Sequence, residues 1–197
     1  MHQYQTDDST RSNLLLTAIL LSVALAYFFN LALEYFHLQL PWWFESPSIL
    51  GFYGLIYWLY DKYLWKVGWI QRIDWIKTPN ISGSWSAEIR TSHDGFSESV
   101  LARVIIRQTA FRISVSMETD ASRSYSVQAA LLKTDKVSEY ELTYNYINEP
   151  KADSVNTLNI HLGTAHLHIG DNLQRMDGDY YTNRDRKNFG RMIFARN

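Results

Sequence analysis

The hydrophobic positions of this 197-residue chain fall into two regimes, blocks as far as about residue 77 and short alternating runs beyond it. The first block lies between Arg11 and Glu34, where 22 consecutive residues carry no charge. Within it, Leu14 to Leu33 is interrupted only by Thr17, Ser22 and Asn30. Twenty helical residues rise about 30 Å, the thickness of a bilayer's hydrocarbon core, so this block predicts a transmembrane helix. A secretory signal peptide is the rival, because Ala24-Leu25-Ala26 imitates a cleavage site. The run is too long for one, and Asp7 and Asp8 spoil its N-terminal region.

The second block, Ser46 to Tyr60, has 15 uncharged residues between Trp42, Trp43 and Phe44 on one side and Tyr63, Trp65 and Trp69 on the other. A helix from about Pro47 to Trp65 crosses if Asp61 and Lys62 sit at the interface, where Lys snorkels and Trp and Tyr prefer the headgroup level. A helix lying on the membrane surface is the alternative. Glu34 to Pro47 leaves room only for a hairpin turn. From Asp61 to Lys77, Trp65, Trp69, Ile73 and Ile76 recur at helical spacing among Lys66, Arg72 and Asp74. They predict an interfacial helix, or a linker helix packed on the next domain, ended by Thr78-Pro79.

From Pro79 onward, runs rich in β-branched and aromatic residues alternate between turn signals, the pattern of a β meander. The expected strands are Ser84–Thr91, Glu98–Gln108, Phe111–Glu118, Ser124–Thr134, Ser138–Ile147, Val155–Leu162, Thr164–Ile169, Leu173–Thr182 and Phe189–Arg196, with one turn placed at Gly163. Eight or nine antiparallel strands with one apolar face must close or stack to protect their edges. Hairpin-length connections favour an up-and-down barrel of about eight strands over a sandwich, which needs Greek-key crossings. The expected organisation is therefore an N-terminal segment 1–12, a two-helix transmembrane hairpin 13–65, an interfacial linker helix 66–78 and an all-β antiparallel barrel 79–197.

Composition narrows the chemistry. The absence of Cys excludes disulfide scaffolds, Fe–S clusters and thiol nucleophiles, and 19 Lys and Arg against 20 Asp and Glu leave no broad basic face for a DNA or RNA duplex. No triad, paired-carboxylate motif or phosphate loop stands in recognisable context, so no enzymatic activity and no catalytic residue is expected. His161, His166 and His168 lie close together in sequence. Their alternation with Leu162, Leu167 and Ile169 puts them on the face opposite the apolar one, and no metal is expected.

The β region carries 14 basic and 14 acidic residues, against which one cluster stands out: Arg184, Arg186, Lys187 and Arg191 with a single acid, Asp185, just after Tyr180 and Tyr181. Guanidinium forks suit phosphates and aromatic faces stack on bases. Arg184 and Arg186 are thus candidates for phosphate and Tyr180 and Tyr181 for bases, with Arg107 in reserve. A solvated hairpin loop whose aromatics pack the barrel is the other reading.

Gly83-Ser84-Trp85 resembles the opening of lipocalin-like barrels, in which a Trp closes one end and a late Arg packs across it, a part that Arg196 can fill. The two-span hairpin, this opening and the block Gly178-x-Tyr180-Tyr181-x-x-Arg184-x-Arg186-x-x-Phe189-Gly190 together resemble the two-transmembrane β-barrel effectors of CBASS anti-phage defence. The resemblance covers essentially the whole chain. It implies a barrel that binds a cyclic dinucleotide made by a CD-NTase on infection, and a protein that then oligomerises and breaches the bacterial inner membrane, without a cofactor. Asn183 and Asp185 depart from what a phosphate would favour. Thr17, Ser22, Ala24, Asn30, Gly51 and Gly54 are the small and polar residues available for close helix packing. The rival is a membrane-anchored scaffold whose barrel holds a protein partner or a lipid-like ligand.

Charge sets the expected orientation. The loop between the spans carries Glu34 and Glu45 without Lys or Arg, whereas Arg11 precedes the first span and Lys62, Lys66, Arg72 and Lys77 come after the second. The positive-inside rule then places both termini in the cytoplasm. A reporter active only in the cytoplasm should give signal when fused at Asn197 and none at Gln39; the reverse pattern would refute this orientation.

Overall fold

The meander forms because alternate residues of each strand are apolar and must be buried on one face. In the computed structural model, which describes residues 1–6, 8–37, 48–72, 78–134, 140–154, 159–170, 172–184 and 186–197, the chain divides into two units. One is Met1–Asp7 with Pro79–Asn197, the other Asp8–Thr78.

Eight strands of the β unit succeed one another as antiparallel hairpins: β2 (Gly83–Thr91), β3 (Ser99–Gln108), β4 (Arg112–Glu118), β5 (Ser122–Lys133), β6 (Tyr140–Pro150), β7 (His161–Ile169), β8 (Arg175–Thr182) and β9 (Phe189–Arg196). The last pairs with the first, Trp85 opposite Arg196 through Thr91 opposite Gly190, and the barrel closes. Trp85, Val104, Ile113, Leu142, Leu167 and Phe194 fill its interior.

Two expectations need correction. Val155–Leu162 and Thr164–Ile169 do not form two strands around a turn, because β7 runs unbroken through Gly163. Residues 155–158, like Ser138 and Glu139, lie outside the described residues. The second correction is a ninth strand that the alternation did not reveal, β1 (His2–Gln5), so the first residues belong to the β unit and are not a separate N-terminal segment.

β1 occupies a gap. β4 and β5 pair directly only from Ser116–Glu118 to Arg123–Tyr125, next to their turn. Farther on, a bulge between Ser126 and Gln128 shifts β5, and its inward-facing positions change from Ser122, Ser124 and Ser126 to Ala129 and Leu131. Ser126 Oγ there accepts from Val115 N–H at 2.9 Å and lies 2.7 Å from His2 Nε2. β1 fills the space beyond, antiparallel to β4 and parallel to β5. Tyr4 enters the core and its hydroxyl donates to the Ala110 carbonyl at 2.8 Å.

One end of the barrel is sealed. Trp85 Nε1 donates to the Ile81 carbonyl at 3.0 Å, and the Arg196 guanidinium lies 5.3 Å from the Trp85 ring centre while donating to the carbonyls of Asn80, Ser82 and Leu173. This is the Trp–Arg contact that Gly83-Ser84-Trp85 implied. Buried Gln108 holds the incoming chain, donating to the Pro79 carbonyl and accepting from Ile81 N–H, each at 3.0 Å. Pro79 and the end of β1 both lie at this end.

In the other unit, α1 (Asp8–Tyr35) contains a 25-residue apolar stretch, Arg11–Tyr35, long enough to span a bilayer. Leu14, Ala18, Ser22 and Ala26, one helical turn apart, are buried, while Leu16, Ile19, Leu20, Val23 and Phe28 are exposed. A helix with so much bare apolar surface suits lipid rather than water. α2 (Ser48–Lys62) packs on α1, with the Phe29 and Phe52 rings edge to face at 5.8 Å. The small residues at the seam are Ala18, Ser22 and Ala26; Gly51 and Gly54 face open space.

α2 does not continue to Trp65. Its 15 residues rise about 22 Å, and the chain then makes two 3-10 turns, Leu64–Lys66 and Ile70–Arg72, where an interfacial helix was expected. Val67 is extended between them, which breaks the helical face: Trp65 and Ile70 are buried while Trp69 is exposed. Trp42, Trp43, Phe44, Ile73 and Ile76 lie outside the described residues.

Tyr4 makes β1 testable. Tyr4→Ala should lower unfolding free energy by about 3–5 kcal/mol in detergent-solubilised protein, and Tyr4→Phe by about 1 kcal/mol for the lost hydroxyl bond. Unchanged denaturant midpoints for both would mean that β1 does not contribute to the wall.

Candidate ligand-binding site

The barrel end opposite Trp85 is open. A cavity of about 250 Å³ lies there, walled by residues from β2, from the turns of the β4–β5 and β8–β9 hairpins, and from the adjoining ends of β6 and β7. Ile89, Met117 and Met192, with the more exposed Val100, form its apolar lining, and Thr91, Asn148, Thr182 and Asn188 add polar groups.

Its two aromatic walls depend on glycines. Tyr146 faces Gly163 across β6 and β7, and a Cβ at Gly163 would stand 2.3 Å from the Tyr146 ring. Tyr180 faces Gly190 across β8 and β9, where a Cβ would stand 2.1 Å from the Arg90 carbonyl oxygen and 2.4 Å from the Tyr180 ring. Each tyrosine thus occupies the space its cross-strand partner lacks, and only glycine permits it. Burial pushes both phenols above their ordinary value, so they remain neutral donors at physiological pH.

Arg186 is the only Arg or Lys among the described residues lining the cavity. Its Nη1 lies 3.2 Å from His161 Nδ1. The Asn188 amide packs on Arg186, and turning it to place its oxygen at Arg186 Nε (3.1 Å) and its nitrogen at the Arg186 carbonyl (3.2 Å) satisfies both groups. Burial holds the His161 imidazole below its usual value, the Asn159 carbonyl 3.0 Å from Nδ1 offsets part of that, and the neighbouring Arg186 charge lowers it further. Beneath the rim, the ring of fully buried Tyr144 lies 6.1 Å from that of Tyr146, and its hydroxyl has no hydrogen-bond partner among the described residues.

The structure brings Tyr180 and Arg186 together and separates the other sequence-chosen candidates from them. Tyr181 is the next residue on a strand, faces outward and is 56% exposed. Arg184 is exposed on the β8–β9 loop, and Arg107 alternates outward against buried Ile106 and Gln108. Asp185 lies outside the described residues. Tyr146, Asn148, Thr91 and His161 belong to the site and were not chosen. Tyr146 alternates with Tyr140, Leu142 and Tyr144 on the buried face of β6. His161 lines the mouth, apart from His166 and His168 on the outer wall.

Helices with bare apolar surface joined to a β barrel with one open, aromatic and cationic end define a membrane-associated receptor-like class. The chain belongs to the Cap15 family: the model of the Cap15 cyclic dinucleotide receptor domain matches residues 76–196, and that of the Cap15 TM helices matches residues 15–66. Among curated proteins it is similar to the CD-NTase-associated protein 15 of Yersinia aleksiciae, 30% identical over 153 residues that cover 78% of this chain and 71% of the relative. The protein of that name from Staphylococcus schleiferi is 29% identical over 123 residues, 62% of this chain and 64% of the relative. That from Escherichia albertii is 26% identical over 127 residues, 64% of each.

The glycine–tyrosine pairs set a test. Gly163→Ala should cost about 1–3 kcal/mol by driving the Tyr146 ring from its place, and Gly163→Ala combined with Tyr146→Ala should cost less than the sum of the two single changes. Additive losses in denaturant unfolding would show that the ring does not depend on the glycine.

Proposed function

We propose that this chain is a membrane effector of CBASS anti-phage defence, whose β domain binds a cyclic dinucleotide made by a CD-NTase after infection. The observation that carries this is the open barrel end, with Arg186 between the aromatic walls of Tyr146 and Tyr180. A cation there meets a phosphate, and the rings offer faces and phenolic donors to bases. The unpartnered Tyr144 hydroxyl below them supports a ligand with polar atoms that reaches inward. Two linked nucleotides exceed a cavity of about 250 Å³, so part of the ligand stays at the rim, where the exposed Arg184 can meet the second phosphate. Membership of a family with a cyclic dinucleotide receptor domain, and relatives named for association with a CD-NTase, support the same reading.

On this reading the barrel is lipocalin-like, and the helices cross the bacterial inner membrane twice as a hairpin. The chain leaves the β unit after Asp7 and rejoins it at Pro79. Both points therefore share one side of a bilayer, and the crossing by α1 requires a return. Arg11, Lys62, Lys66 and Arg72 make that side the cytoplasm. Ligand binding then drives self-association, and the clustered helices disrupt the bilayer. A ligand acts this way only through its differential affinity for the assembled state. No catalytic step is assigned to the chain. The apolar lining of Ile89, Val100, Met117 and Met192 favours a second reading, in which a scaffold takes a lipid-like ligand.

Calorimetry of the full chain in detergent against a panel of cyclic dinucleotides tests the first reading. One or more should bind. Arg186→Ala should cost about 2–5 kcal/mol of binding as a partly buried charged partner is lost, and Arg107→Ala and Tyr181→Ala should leave binding unchanged. Silence across the panel would favour the lipid-like ligand.

A further inference from the structure

The geometry points to a second site on the outer wall of the barrel, a divalent transition-metal site formed by Glu141, His166 and His168. β6 and β7 bring these residues together from distant parts of the sequence, Glu141 directly opposite His168 and Thr143 directly opposite His166. All three point away from the core, because the intervening Leu142 and Leu167 are buried. Three potential ligand atoms, one from each residue, lie within 4.8 Å of one another.

Each imidazole nitrogen lies at about the donor spacing of a small tetrahedral ion from one oxygen of the shared carboxylate, and the three donors together fall within 4.8 Å. Donors about 2.1 Å from zinc lie about 3.4 Å from one another. His166 Nε2 is 3.5 Å from one Glu141 oxygen, and His168 Nδ1 is 3.3 Å from the other. The two rings stand edge to face, 5.1 Å between centres. Thr143 Oγ1 lies 2.9 Å from His166 Nδ1, a contact that engages that nitrogen and leaves Nε2 directed at the carboxylate. A hydrogen-bond partner on the distal nitrogen is what fixes a metal-binding imidazole in its tautomer.

On the next strand, Asp179 stands opposite His166 and Asp177 opposite His168, which makes the local field favourable to a cation. Asp177 is engaged by Arg191 at 3.2 Å and is therefore not counted as a ligand. Two imidazoles and one carboxylate, with the remaining positions open to water, suit zinc, nickel or cobalt rather than calcium or magnesium, which prefer oxygen. The site is separate from the barrel mouth, and neither Arg186 nor the nucleotide reading bears on it.

Titration of the tag-free full chain in detergent with zinc alone, followed by calorimetry, tests this. One equivalent should bind and raise the melting temperature. His166→Gln or His168→Gln should weaken binding about tenfold or more, and the double variant should abolish both effects. Imidazole NMR of the unsubstituted chain adds a readout that no folding defect can mimic: zinc should shift His166 Nε2 and His168 Nδ1 and leave His93 and His161 unmoved. Absence of binding, binding undiminished in the double variant, or shifts confined to other histidines would overturn the site and leave a Glu–His–His hydrogen-bonding cluster.

Discussion

The constraint on which the rest depends is the separation of β4 from β5 at Ser126 and the filling of that gap by His2–Gln5. Without β1, the inward side of the gap lacks Tyr4, and two strand edges face water. With it, the chain is held to the β unit on both sides of its helical segment, before Asp8 and after Thr78. The same wedge sits on the hairpin whose turn contributes Met117, Thr119, Ala121 and Ser122 to the cavity.

How much of this was legible in the sequence depends on the physical origin of each feature. Seven of the expected strands were legible because burial on one face writes a period of two into a strand, and α1 was legible because an apolar block of its length has few other uses. β1 was not. His2-Gln3-Tyr4-Gln5 has one apolar residue, and its partners Ile113, Arg112, Ala129 and Ala130 lie more than a hundred residues away. Gly163 was read as a turn because glycine marks turns and close approaches alike, and only the Tyr146 ring above it distinguishes them. The end of α2 depended on Val67 and on the burial of Trp65 and Ile70, which no local pattern announces.

The candidate site was legible in its chemistry and only half legible in its geometry. The basic and aromatic block contributes Tyr180 and Arg186 to the cavity lining, and parity decides which members face inward. Tyr180 shares a face with buried Met176, and Tyr181 with Asp177 and Asp179, a signal present in the sequence. β3 offered a weaker one, since Leu101 and Ile105 make its outer face nearly as apolar as the inner, and Arg107 could be placed only by structure. The outer-wall cluster shows the converse. His166 and His168 were visible together, but Glu141 joins them only through the register of β6 and β7.

The four methionines report directly on where a ligand goes. Met117 and Met192 line the open end, Met176 is buried among the core residues opposite Phe194, and Met1 precedes β1. With ¹³C-methyl methionine in the full chain, addition of a cyclic dinucleotide should shift the Met117 and Met192 signals strongly and Met176 little. Binding that shifted neither Met117 nor Met192 would place the ligand elsewhere and contradict the account.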